Sequence, residues 1–512
     1  MLSRKFNIIL LLCVLFVSAI KSSSNLVSNP NANPTILNLI VDSNKTNSYS
    51  SECGSSFEDS CNNIVDAVNY FHEYKSKPEN YNSALVLKLA DGIYSGKVNY
   101  IHSGLGLHIT ISTYTSNSND VIIDGSDLQN DLIDFDSNCF NPPSSKTYLK
   151  VSNVAFVNFF SLNYDILHSD TYGKMETQYI FDRCKFLNST NLRFTGYGES
   201  KEVNSISFEK SIFENVTFRK YSFFATNYTT SFTFTKFNSV SFDDSFIVEE
   251  IDSKKKLIGC SFNQVSFGTK TQKLYFIEAK DLSIESSTFN QIIGPKSSTP
   301  ASLLKISNNV NITLIMLNSF NNFDGVLAES NNSMILFSSN TFSNSNSKPI
   351  IKSLNSNVMY HSNTFKYSRN LNDDQLIDCT DSSISFTSNN DGSEIFEKNP
   401  LCKDCFISIG SKTVCSKKTT TTSSTSSSIA TTGETTYTST TGDDDDHPNG
   451  SVDGIFNIPS CYGNGNFSIY IKDKLVHTNP FSYQPPSKWI SSFTQNQEKV
   501  QLHLSFSLSL LQ

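Results

Sequence analysis

An all-β solenoid is the fold class this sequence predicts, and three observations predict it. A phenylalanine-centred segment recurs: Leu257–Phe267 (LIGCSFNQVSF) has near-copies at Ile206–Phe218, Phe232–Phe242, Leu282–Ile292 and Met334–Ser345. The central residues of the copies, Phe186, Phe213, Phe237, Phe262, Phe289, Phe320, Phe342 and Phe365, are spaced by 22 to 31 residues, a period that belongs to stacked repeats. Five residues before each anchor stands Phe181, Phe208, Phe232, Leu257, Ile284, Ile315, Phe337 or Tyr360, apolar in every copy. Apolar residues two apart describe a short strand with one buried face. The repeats are rich in Phe, Ile, Thr, Val, Ser and Asn, which disfavours helix.

Taken in order, the chain opens on Met1–Ala19, which reads as a secretory signal: Arg4 and Lys5, then the short apolar run Ile8–Val17, then Val17-x-Ala19. The run is short for a membrane-spanning helix. Residues 50–80 form an N-terminal cap. There Ile64, Ala67, Val68, Phe71 and Tyr74 share one face of a helix expected over Asp59–Lys75, capped by Asp59 or Ser60. A helix at this point covers the open first coil, so His72 and Glu73 are read as structural. Leu85, Leu87 and Leu89 alternate as a strand, turned by Asp91-Gly92. From residue 81 to 400 the repeats stack, about twelve coils making a rod roughly 55–60 Å long at a strand spacing of ~4.8 Å.

Two residues before each anchor stands Cys184, Ser211, Thr235, Cys260, Ser287, Asn318, Asn340 or Asn363. These small hydrogen-bonding side chains suit a tight corner, bonding backbone in their own turn or the next coil. With the pattern I-x-x-N-x-F, best seen as Leu336…Phe342 and Met359…Phe365, this column resembles the asparagine ladder of the right-handed parallel β-helix of the pectin-lyase-like superfamily. LADGIYSG (Leu89–Gly96) and VIIDG (Val121–Gly125) resemble its entry coils. The resemblance covers roughly residues 50–400. It implies the fold; the fold hosts lyases, hydrolases, esterases and inert adhesins.

Residues 401–416 make a Cys-rich cap, and 417–450 is a Thr/Ser/Asp linker with too few apolar residues to bury a core. A small β segment, 451–512, follows, in which Leu502, Leu504, Phe506, Leu508 and Leu510 alternate with polar residues. Ten cysteines remain once Cys13 leaves with the signal, which permits disulfides in a secreted chain. The count does not fix the pairing; Cys53 and Cys61, eight apart, are the favoured pair. Cys402, Cys405 and Cys415 form a compact knot with Cys379 as an added partner; no zinc spacing accompanies them. Cys184 and Cys260 lie three coils apart, about 14 Å, too far to bridge; they are buried thiols or partners of loop cysteines.

Net charge is −8 with the basic residues dispersed, which excludes a nucleic-acid stripe and repels polyanions on average. The calcium carboxylates with an arginine, the aspartate cluster with a histidine, and the G-H-G and R-x-K motifs that mark catalytic members of this fold find no match. No cofactor motif is present, and no metal site is assigned to Asp443–Asp446, which read as a solvated linker. Asp182 and Glu209 stand four before their anchors in neighbouring coils, at an exposed corner, with Lys185 and Lys210 alongside. An acidic turn is their default; a proton-sharing or cation-binding pair is the catalytic alternative. Asp243-Asp244, Asp373-Asp374 and His361 are read as surface. Sequons stand at Asn44, Asn188, Asn215, Asn227, Asn311, Asn331, Asn449 and Asn466. The expectation is a secreted or surface-held, non-catalytic glycoprotein that recognises carbohydrate or a cell-surface protein. A polysaccharide lyase or glycoside hydrolase and a structural matrix component are the alternatives.

Overall fold

The computed structural model describes residues 35–416 except 46–52, 78–79, 81, 105, 116–119, 137–145, 172–175, 199–203, 220–227, 249–253, 310, 324, 344–348, 367–374, 388 and 399, together with 466–471, 474–480 and 503–506. Residues 1–19, expected as a signal, and 417–450, expected as a linker, lie outside the described residues, as do Cys139, Cys461, Asn227, Asn449 and Asp373-Asp374.

Alternation gives each repeat a strand that buries one face: Ile206 and Phe208 in Ser205–Glu209, and Phe237, Val240 and Phe242 in Lys236–Phe242. Such strands satisfy their backbone only by pairing with the next coil, and they stack. Among the described residues one sheet runs through fifteen strands, from Ile36–Val41 to Lys412–Cys415. Its successive pairs are parallel until the last, where Lys412–Cys415 turns back antiparallel on Phe406–Ile409. Fourteen parallel strands span about 60 Å at the usual spacing. A second sheet has eleven strands, from Gly92–Ser95 to Thr364–Lys366. A third face carries four strands in the early coils (Ile101–Gly104, Ile133–Asp136, Leu167–Thr171, Phe194–Gly198) and seven in the later ones, from Ile247–Val248 to Leu401–Lys403. The chain is an all-β parallel solenoid, and its first sheet extends beyond 81–400 at both ends.

The anchors pair in unbroken register from Phe186 to Phe365. All are buried, and adjacent rings stack with centroids 4.6–5.2 Å apart and planes within 2–17°. The strand spacing sets that separation. The second apolar column, Phe181 to Tyr360, runs beside it in register.

Between the columns the chain turns through a residue in the left-handed region, including Arg183, Lys210, Phe234, Ser286, Leu317, Ser339 and Ser362, with φ of 51–58°. That conformation costs a non-glycine residue about 1–2 kcal/mol, and the ladder beside it offsets the cost. Backbone N–H groups of Cys184, Cys260, Ser287, Asn318, Asn340 and Asn363 donate to the side-chain oxygens of Ser211, Ser287, Asn318, Asn340, Asn363 and Asn390 in the next coil, at 2.8–3.2 Å. Asn390 extends the column one coil past the sequence reading. Cys184 and Cys260 are free and buried; their thiols donate to Val151 O at 3.4 Å and Phe232 O at 3.2 Å. Burial pushes them up to about 12 and about 11, so both are inert hydrogen-bonding members of the corner.

Helix α1 spans Ile64–Lys75 and buries Ile64, Ala67, Val68 and Phe71. It starts later than expected. Cys61 is committed to the sheet edge, accepting from Asp42 N and donating to Ile40 O at 2.8 Å, and is joined to Cys53. Asn63, not Asp59 or Ser60, therefore caps the helix, its Oδ1 accepting from Asp66 N at 2.7 Å. At the far end Cys379 joins Cys405 and Cys402 joins Cys415. The C-terminal segment carries an antiparallel sheet of Asn466–Ile471, Lys474–Pro480 and His503–Phe506.

Candidate functional site

The third face of the early coils gathers the titratable residues. Ile101, Ile133, Leu167 and Phe194 occupy the same register position of its four strands and point into the core. The next residue of each strand, His102, Asp134, His168 and Thr195, forms an adjacent row, on the opposite side because side chains alternate. His102, Asp134 and His168 are half-buried, and Thr195 is buried.

His102 Nδ1 lies 2.8 Å from Asp134 Oδ2. The carboxylate orients the ring, with Nδ1 turned to Asp134. At the other end Thr195 donates its hydroxyl to Asp165 Oδ2 at 2.5 Å, so its oxygen accepts from His168 Nδ1 at 3.0 Å. His168 Nδ1 therefore carries a proton. His72 of α1 belongs to this neighbourhood: burial, then the charges of Lys75 and His102, push its pKa down to about 4. Burial also lowers Lys75, to about 8; its ammonium donates to Gly106 O at 3.2 Å.

Two aspartates precede the row. Asp165 is buried and fully engaged: Arg193 Nε donates to Oδ1 at 2.7 Å, and Arg219 reaches the same oxygen and the carbonyls of Leu162 and Tyr164. Burial lowers the Arg219 pKa while the Asp165 charge opposes it. This ion pair ties the turn before Leu167–Thr171 to the coils that follow. Asp131 accepts from Asp165 N. Desolvation pushes its carboxyl up to about 6, reinforced by the charges of Asp165 and Asp134 and opposed by that hydrogen bond and His168. Asp131, which precedes the strand Ile133–Asp136 and holds its proton to about pH 6, feels the charge of His168; a carboxyl raised in this way and an imidazole are groups that acid–base chemistry uses.

The sequence reading missed this group, because its residues fall outside the phenylalanine columns. The available signal was faint: Ile-His-Ser at 101–103, Ile-Asp-Phe-Asp at 133–136 and Leu-His-Ser-Asp at 167–170. Asp182 and Glu209 are register neighbours, as expected. Asp182 is buried rather than exposed, and Arg183 and Lys150 hold its Oδ2 at 3.0 and 3.5 Å. Glu209 is half-buried. Asp243 and Asp244 are buried as well, where a surface turn is expected; the turns of the following coil fold across them. His361 is exposed. Asn44, Asn188, Asn215 and Asn311 are exposed, Asn331 is half-buried, and Asn466 lies in a strand. No group of three or more His, Cys, Asp or Glu among the described residues is arranged to hold a metal ion. No helix among them is long and apolar enough to cross a membrane.

No protein-family model and no curated protein matches the chain. Among solved structures it is similar to pectin methylesterase PemA from Erwinia chrysanthemi, with 10% identity and a TM-score of 0.26 over 62% of this chain and 92% of that one. It is similar to DFA-IIIase from Arthrobacter chlorophenolicus A6 in complex with DFA-III, with 11% identity and a TM-score of 0.29 over 73% and 86%. A third neighbour is the catalytic domain of a GH87 alpha-1,3-glucanase in complex with tetrasaccharides, with 9% identity and a TM-score of 0.21 over 71% of each chain. These neighbours are carbohydrate-active β-helix proteins; at such values they assign no role, and the parallel β-solenoid is read from the strand registers themselves.

Proposed function

We propose that the chain is a secreted or surface-held glycoprotein that acts on a carbohydrate polymer along the third face of its early coils. The observation that carries this reading is the in-register row His102–Asp134–His168–Thr195 beside Asp131, whose carboxyl is pushed up to about 6. In this reading Asp131 gives a proton to a leaving oxygen, and His102, oriented by Asp134, takes one from the attacking water. Helix α1 covers the first coil in this reading. Asp182 and Glu209 are the second-ranked carboxylates, since the ion pairs of Asp182 suit a structural role.

The test is product analysis of the secreted chain on a panel of polysaccharides, with Asp131→Asn and His102→Gln alongside. Turnover that falls at least ~100-fold in both variants is expected for an acid–base pair. Absence of products, or turnover unchanged in both, overturns the reading. Turnover lost only in Asp182→Asn and Glu209→Gln moves the site to that pair.

A second reading, a recognition rod without catalysis, is favoured by one feature. The outer face of the second sheet carries Ser261, Thr288, Ser319, Thr341 and Thr364 in register, one per coil. Glycan binding without products supports that reading.

A further inference from the structure

From the turn after Phe242 we infer that Asp243 and Asp244 hold a hard divalent cation, calcium in an extracellular setting. Five aspartates are buried among the described residues: Asp42, Asp165, Asp182, Asp243 and Asp244. Three have their charge or oxygens met. Asp42 accepts from Asn44 N and Nδ2 at 3.0 and 3.2 Å. Asp165 takes two guanidinium groups and a hydroxyl, and Asp182 takes Arg183 and Lys150.

Asp244 departs from that rule. It is 1% exposed, and both its carboxylate oxygens are buried with no hydrogen-bond partner. Asp243, 5% exposed, gives Oδ2 to Lys270 at 2.9 Å and keeps Oδ1 buried and unpartnered. Of the four carboxylate oxygens of this turn, Lys270 meets one and three are unmet. An isolated carboxylate out of water is costly enough that it takes up a proton or a cation.

The turn's surroundings favour the cation. Its backbone is fixed: Asp243 N donates to Phe218 O and Gly268 N to Asp244 O, both at 2.9 Å, while Lys270 N and Thr271 N donate to Asp243 O at 3.2 Å. The main chain that carries the two carboxylates is therefore fixed before any ligand arrives. An oxygen-only donor set in an irregular turn fits calcium, which accepts variable geometry at 2.3–2.6 Å, better than magnesium or a transition metal. Extracellular calcium sites bind with Kd of about 10⁻⁴–10⁻³ M.

The experiment is calcium titration of the full secreted chain after EDTA treatment, by calorimetry and by thermal unfolding, for wild type and Asp244→Asn. Both proteins keep Asp443–Asp446, so any site formed by the linker is common to both. Expected are one fewer calcium bound in Asp244→Asn, a calcium-dependent rise of ~5 °C in wild-type Tm that the variant lacks, and no comparable rise with magnesium. Equal stoichiometry and equal Tm shifts in the two proteins overturn the proposal. If Asp244→Asn does not fold by circular dichroism, Asp243→Asn replaces it. At least tenfold weaker calcium binding is then expected, and unchanged affinity overturns the proposal.

Discussion

Removing the Asn340 side chain tests the ladder at a position where every bond is accounted for. Its Oδ1 accepts from Asn318 N and Asn318 Nδ2, both at 3.0 Å, and its Nδ2 donates to Ile315 O at 2.8 Å and Asn363 Oδ1 at 3.0 Å. Four lost bonds do not cost alike. Asn318 Nδ2 keeps Ile284 O, and Asn363 Oδ1 keeps Asn340 N. The buried N–H of Asn318 loses its ladder acceptor, at about 1–3 kcal/mol; the other three lose about 0.5 kcal/mol each. Asn340→Ala is therefore expected to destabilise by about 3–4 kcal/mol. Asn340→Ser restores an acceptor, as Ser287 Oγ does for Cys260 N at 3.0 Å, and should cost only about 1–2 kcal/mol. The assay is urea unfolding, with native-state hydrogen exchange at the Asn318 amide because stacked coils open locally. Equal damage from Ala and Ser, or a loss under about 1 kcal/mol from Ala, refutes the assignment of the cost to that one N–H.

Phe262→Ala removes a ring stacked at 4.7 Å on Phe237 and 4.8 Å on Phe289; a loss of about 4 kcal/mol in unfolding free energy is expected. Asp131 has a folded pKa of about 6 against 3.8, so the stability it contributes is full below pH ~4 and lost as pH rises through ~6. Asp131→Asn should accordingly unfold at higher denaturant than wild type at pH 7, by about 2–3 kcal/mol, and match it at pH 4. Replacing Cys53 and Cys61 by Ser opens an eight-residue link, with an expected loss of about 2.5 kcal/mol, measured as faster proteolysis of the segment before Ala84.

The repeat was legible because a register-locked stack forces the same side chain to the same place in every coil. Phe186 to Phe365 and Cys184 to Asn363 therefore read as columns before any coordinates. The third face was not legible. Its strands come from the stretches whose length varies between copies, so His102, Asp134 and His168 share a row without sharing an offset from any anchor. Ile36–Val41 went unseen for a different reason: it is the outermost strand and buries only Leu39 and Val41. Asp243-Asp244 looked like a solvated turn because adjacent acids usually are, and the burial comes from the following coil.

A parallel stack of coils has no intrinsic length, since each last strand offers the next copy the same unpaired edge. Here the growth direction is reversed at the end: Lys412–Cys415 turns back antiparallel, and Cys402–Cys415 fastens it there. The backward turn thus covers the edge on which a further parallel strand would pair, and the covalent tie holds it there in addition to its antiparallel hydrogen bonds.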